Sequence, residues 1–139
     1  MRKHGMKNFY WVIIILVLSS SNSFAYSSMF KSPSEQLEFA IPKTEAGDAW
    51  GRAQGFIGRF SSKKLLTVTD FVIQTYDPMG CSDEYGYSVI KTPMGDNVLI
   101  AVECIVGNTL IKPNAEKNAR ILAYYIKTGE LPYPGLIAR

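Results

Sequence analysis

Lys64 to Val106, KLLTVTDFVIQTYDPMGCSDEYGYSVIKTPMGDNVLIAVECIV, is the stretch whose reading decides the fold. Apolar runs separated by turn residues predict three consecutive antiparallel strands. The last run is the clearest: Val98, Ile100, Val102, Cys104 and Val106 share one face, with Leu99, Ala101, Glu103 and Ile105 on the other. The first set is wholly apolar and is expected to face the core. Thr92-Pro93-Met94-Gly95 supplies a turn, so Tyr85–Thr92 and Asn97–Val106 read as a hairpin with Val89 opposite Leu99. Lys64–Tyr76 reads as one strand whose alternation changes phase near Thr69-Asp70, as a bulge, or a sheet covered on both faces, would produce. Asp77-Pro78-Met79-Gly80 ends it, and Thr109–Ile111 is a candidate fourth strand.

A helical pattern flanks this region on each side. Before it, Ala46, Trp50, Ala53, Ile57 and Phe60 recur at helical spacing, widened by Ala49 and Phe56, and predict a helix over residues 45–60 with Thr44 as N-cap. Gly47, Gly51, Gly55 and Gly58 fall together on the opposite side of that helix. A stripe of this kind is either a groove for a second backbone or a solvated face held by the packing behind it. After the strands, Pro113 and Asn114 open a helix that buries Ala115, Ala119, Leu122, Ala123 and Ile126 and stops at Gly129. The proline-fixed tail Leu131–Ile137 is expected to fold back on the domain, with a docking segment as the alternative. The fold expectation is therefore one small α+β domain: an N-terminal helix, a three- to four-stranded antiparallel meander and a C-terminal helix.

Residues 1–25 have the three parts of a secretory signal. Arg2, Lys3 and Lys7 form a basic start, Phe9–Leu18 an apolar run, and Ser23 and Ala25 the small residues that signal peptidase requires. The apolar run is about half of what a bilayer needs, so cleavage after Ala25 is expected and a membrane anchor is not. Residues 26–43 then read as a flexible leader carrying a short element that docks on the fold, and residues 44–139 as the domain. Periplasmic or secreted localisation follows from this reading.

Charge and cysteine content narrow the function. The sequence holds 15 basic and 12 acidic residues. Removing Arg2, Lys3 and Lys7 leaves a neutral chain, which gives no electrostatic case for nucleic acid. The single histidine, His4, goes with the same segment. Ser-His-Asp catalysis and histidine-held metal are thereby excluded. Two cysteines in an exported chain read as a disulfide. The expected register carries the Cys81 loop close to Cys104, and closing that loop of roughly 24 residues would be worth about 3–3.5 kcal/mol by the chain-entropy argument.

No motif carries a reaction, a cofactor or a metal site. Asp70 and Glu103 lie inside strands, but nothing ties them into an acid–base pair. Asp77, Asp83 and Glu84 surround Cys81 without a calcium-loop spacing. Tyr85 and Tyr87 share a strand face that the expected register leaves partly exposed, a platform for a sugar or a partner. The leading expectation is a small exported envelope protein, a non-enzymatic module that binds another macromolecule as an inhibitor, immunity-type or accessory protein, through Gly51 and Gly55 or through Tyr85 and Tyr87. The alternative is a small-ligand or glycan-binding domain using the sheet face, and a carboxylate hydrolase ranks behind both. Export of the full sequence should yield a product beginning at Tyr26. Intact-mass measurement checks this, and a product still carrying the apolar run would refute the cleaved-signal reading.

Overall fold

The computed structural model describes residues 35–131 and Ile137. The segment read as an export signal, the leader up to residue 34 and most of the tail lie outside the described residues. Strand β1 (Glu38–Pro42) and a 3-10 turn (Lys43–Glu45) lead into helix α1 (Ala46–Phe60). Strands β2 (Leu65–Val68), β3 (Val72–Thr75), β4 (Tyr85–Met94) and β5 (Asn97–Val106) follow. A second 3-10 turn (Thr109–Ile111) then enters helix α2 (Lys112–Thr128). The protein is α+β: two helices and a five-stranded antiparallel sheet in the order β1-β5-β4-β3-β2.

The helices form where the apolar periodicity placed them. Ala46, Ala49, Trp50, Ala53, Phe56, Ile57 and Phe60 are the buried side of α1. Glu45 rather than Thr44 holds the N-cap, and no side chain caps there, because Thr44 is taken into the 3-10 turn. The buried side of α2 contains the five expected residues together with Asn118 and Ile121. Gly129 ends α2 with φ 76°, a left-handed conformation that glycine adopts without steric cost, and its N–H donates to the Tyr125 carbonyl at 2.8 Å. Both helices cover the same side of the sheet. Phe56 of α1 meets the ring of Tyr87 edge-on at 5.8 Å, and Asn118 of α2 donates to the Tyr87 hydroxyl at 3.2 Å. Ile137 from the tail is buried in the same core.

The sheet has five strands because two expectations are corrected. Lys64–Tyr76 is a hairpin, not one strand. The Thr69 hydroxyl accepts the N–H groups of Phe71 and Val72 at 3.2 and 2.9 Å, and the Thr69 N–H donates to the Val72 carbonyl at 2.8 Å. That local competition with the ladder turns the chain where the alternation changed phase; a further register shift lies between Leu65 and Thr67. The docking element of the leader is β1, which pairs along β5 from Glu38↔Ala101 to Pro42↔Asn97. Thr109–Ile111 is a 3-10 turn rather than a strand, started by the Asn108 side chain accepting the Leu110 N–H at 2.9 Å.

The β4–β5 register also differs. Met94 pairs with Asn97, so the loop is Gly95-Asp96, and Gly95 takes φ 64° at the first loop position, where a two-residue hairpin turn of type II′ puts its glycine. Val89 therefore faces Val102, three residues from the expected Leu99. An odd shift exchanges the faces of a strand, and Tyr85 and Tyr87 turn into the core.

Two kinds of glycine follow from this packing. A Cβ on Gly51 or Gly55 meets nothing within 4 Å, whereas a Cβ on Gly107 would lie 1.9 Å from the Met79 carbonyl oxygen. Gly51→Ala and Gly55→Ala should each raise stability by about 0.5–1 kcal/mol. Gly107→Ala should lower it by about 1–3 kcal/mol, since backbone must move. Urea midpoints of the purified variants check both signs.

Candidate functional site

The residues singled out in the sequence do not converge on one site. Tyr85 and Tyr87 are 4% and 0% exposed. Tyr87 is the centre of a buried polar cluster: its hydroxyl accepts from Asn118, and its N–H donates to the Thr75 hydroxyl at 2.9 Å. Cys104 lies directly opposite it on β5. Burial raises the Tyr87 phenol well above its ordinary range. Burial also pushes the Cys104 thiol up to about 12, with the Tyr87 hydroxyl opposing and Glu103 adding to the rise. A thiol held neutral in this way is inert. The cluster ties β3, β4, β5 and α2 together and offers nothing to a ligand. Gly51 and Gly55 are exposed on the outer side of α1, with open space beyond them.

Cys81 and Cys104 are not bonded. The reason is again the register. The Cys81 loop passes Gly107, just beyond β5, so closely that a Cβ there would run into the Met79 carbonyl and Gly80, and Asn108 donates to Asp83 at 2.9 Å. The loop is thus fixed past the end of β5, three residues beyond Cys104. Cys81 itself is exposed, at φ 67° in a turn closed by the Ser82 N–H on the Met79 carbonyl at 3.0 Å.

The acidic residues are also dispersed. Asp70 sits exposed on the β2–β3 turn, while Glu103 is exposed opposite Ser88 in the middle of β5, so β3 and β4 lie between them. Glu84 is bridged to Lys63 at 2.9 Å, and that ammonium holds its carboxyl below the usual range. Asp83 is taken by Asn108. Among the described residues no group of three or more acidic, histidine or cysteine side chains is placed to hold a metal. None of the described helices is long and apolar enough to cross a membrane.

What the fold leaves available is the other face of the sheet. The β1–β5, β5–β4 and β4–β3 registers align Glu38, Ala101, Ile90 and Val72 in one row across it, and Glu103, Ser88 and Gln74 in the next. Ile90 is 45% exposed. A shallow groove of about 370 Å³ runs past Leu37, Glu38, Ser88, Ile90 and Glu103. The charges on these rows are both carboxylates, Glu38 and Glu103. The sequence already assigned Leu99, Ala101 and Glu103 to the outer side of β5. It missed Ile90, Val72 and Glu38, whose places depend on the β4 register and on β1.

Compared with known proteins, the chain matches no family model and no curated relative.

Thiol chemistry checks the site geometry. Native protein should give one thiol reacting readily with a disulfide reagent at pH 8, that of Cys81, and two after unfolding without reductant. Cys104, with a pKa of about 12, has a native thiolate fraction on the order of 10⁻⁴ at that pH. A native count of two, or none in denaturant, would contradict the packing described.

Proposed function

We propose that the protein is a small, exported, non-enzymatic module that binds another macromolecule of the cell envelope, and that the uncovered face of the sheet is its working surface. The observation that carries this reading is the asymmetry of the sheet. One side is buried under both helices. The other keeps Ile90 half in water, beside Leu99 and Ala101, with no element of the described chain over it. An antiparallel sheet that faces water normally alternates apolar-in with polar-out. Apolar residues on the wet side of β4 and β5 are a departure that a partner surface would explain. The groove is open rather than enclosing, which suits a broad macromolecular contact better than a small molecule sealed from water. The dispersed carboxylates and the inert thiol speak against catalysis. Export rests on the pattern of residues 1–25, and the immediate location is the periplasm or the outside.

A photo-crosslinking residue placed at Ile90 tests the surface in the native envelope. It should give one discrete adduct, while the same residue at Gly55 gives none. The adduct should disappear on Ala101→Arg, an exposed-face change that costs the fold only about 0.5 kcal/mol. Equal labelling from both positions, or none from Ile90, would remove the sheet face as the working surface.

A further inference from the structure

The open face of the sheet carries charge of one sign. Glu38 and Glu103 are both exposed there, on the adjacent strands β1 and β5. Glu38 pairs with Ala101, so Glu103 is its diagonal neighbour on β5, a relation that sets two side chains about 7–8 Å apart. Both line the shallow groove, together with Leu37 and Ile90. Among the described residues neither carboxylate makes an ion pair, although Glu35, just before β1, is bridged to Lys127 at 2.8 Å.

The cations on neighbouring elements serve the other side of the sheet. Lys91, next to Ile90 on β4, turns toward the helices, with its ammonium 4.6 Å from the centre of the Trp50 ring. Arg120 and Lys127 of α2 hold Glu35. Two like charges this close above a partly apolar floor repel each other, and no cation of the described residues is paired with either.

This arrangement selects a cation and rejects anions. Phosphate groups, acidic lipid headgroups and acidic polypeptides would all meet two negative charges. Of the two strongly cationic side chains, arginine fits better. Its planar guanidinium holds five N–H donors in a fixed fork, enough to bond both carboxylates at once, and it is more weakly hydrated than the compact lysine ammonium. Its apolar stem can lie along Ile90 while the head stays with the carboxylates.

We infer that the occupant of this face is a protein segment presenting an arginine between apolar residues, with the guanidinium seated between Glu38 and Glu103. The inference rests on the sheet face being the working surface and names what that surface takes.

Titration of the isotope-labelled exported protein with the capped tripeptide leucyl-arginyl-leucine, followed by NMR, tests it. The backbone amides of Glu38, Ile90, Ala101 and Glu103 should shift together. Citrulline in place of arginine keeps the shape and removes the charge, and should weaken binding about tenfold; lysine should weaken it about threefold. Glu38→Gln and Glu103→Gln should each weaken the arginine peptide about threefold, and together about tenfold. Both side chains are exposed, so the rest of the spectrum should stay unchanged in the variants. Equal binding of the arginine and citrulline peptides would overturn the inference. So would a lysine peptide as tight as arginine, shifts confined to another surface, or no shift at millimolar peptide. The native envelope separates this failure from failure of the surface itself. There the Ile90 crosslink should fall severalfold in Glu38→Gln/Glu103→Gln. Undiminished crosslinking in that variant would keep the surface and overturn the arginine, whereas a wild type with no Ile90 adduct would remove both.

Discussion

The pairing of β4 with β5 is the constraint on which the rest of this structure depends. It is a ladder of ten residue pairs, from Tyr85↔Val106 to Met94↔Asn97. β1 adds to the outside of β5, and β3 to the outside of β4. The register is fixed at the closed end, where Gly95 adopts a left-handed φ in a two-residue loop. Had the turn closed three residues differently, every β4 side chain would have changed faces. Tyr87 would then have left the core, and α2 would have lost the hydroxyl that Asn118 bonds. One glycine conformation therefore decides the composition of both sheet faces.

The polar cluster beneath the helices reinforces that choice. Thr75 and Asn118 are fully buried polar residues, and an unbonded buried polar group costs about 1–3 kcal/mol. In any other register the Thr75 hydroxyl would lose the Tyr87 N–H, and Asn118 would lose the Tyr87 hydroxyl. The cluster is thus a penalty on alternatives more than a source of stability. Trp50 does similar work at the other end of α1. Its indole N–H donates to the Thr69 carbonyl at 3.1 Å, and the Lys91 ammonium lies 4.6 Å from its ring centre. The helix is thereby tied to the β2–β3 turn as well as to the sheet.

These dependencies explain what could be read from the sequence and what could not. Both helices and β5 were legible because each carries a long apolar period that one face of one element satisfies. The hairpin register was not, because the run Thr92–Asn97 contains two acceptable turns. Proline at position 93 favours the first, yet β3 reaches only as far as Ile90. No neighbour needs the Pro93 N–H, so proline is tolerated inside β4. Thr69-Asp70 signalled a turn in its chemistry, but the apolar residues on either side outweighed it. β1 was obscured by the serines and prolines before it. The cysteine pairing failed for a cause several residues away, the close contact of Gly107 with the Met79 carbonyl. The open face inherited these errors: its β5 residues were placed correctly, and its β4 and β1 residues could not be.

The two surfaces left unfinished by the fold have different physical characters, and that difference bears on what each can recognise. The sheet face offers side chains alone, because its backbone groups are already paired within the ladder. Recognition there depends on shape and on the carboxylates Glu38 and Glu103, so it can be selective for a basic or apolar surface without imposing strand geometry on it. The β2 edge also offers backbone groups. Backbone pairing is indifferent to sequence, and edges that carry it are normally protected by charge, proline or a bulge. Here the protection is partial: an irregularity and two flanking charges of opposite sign.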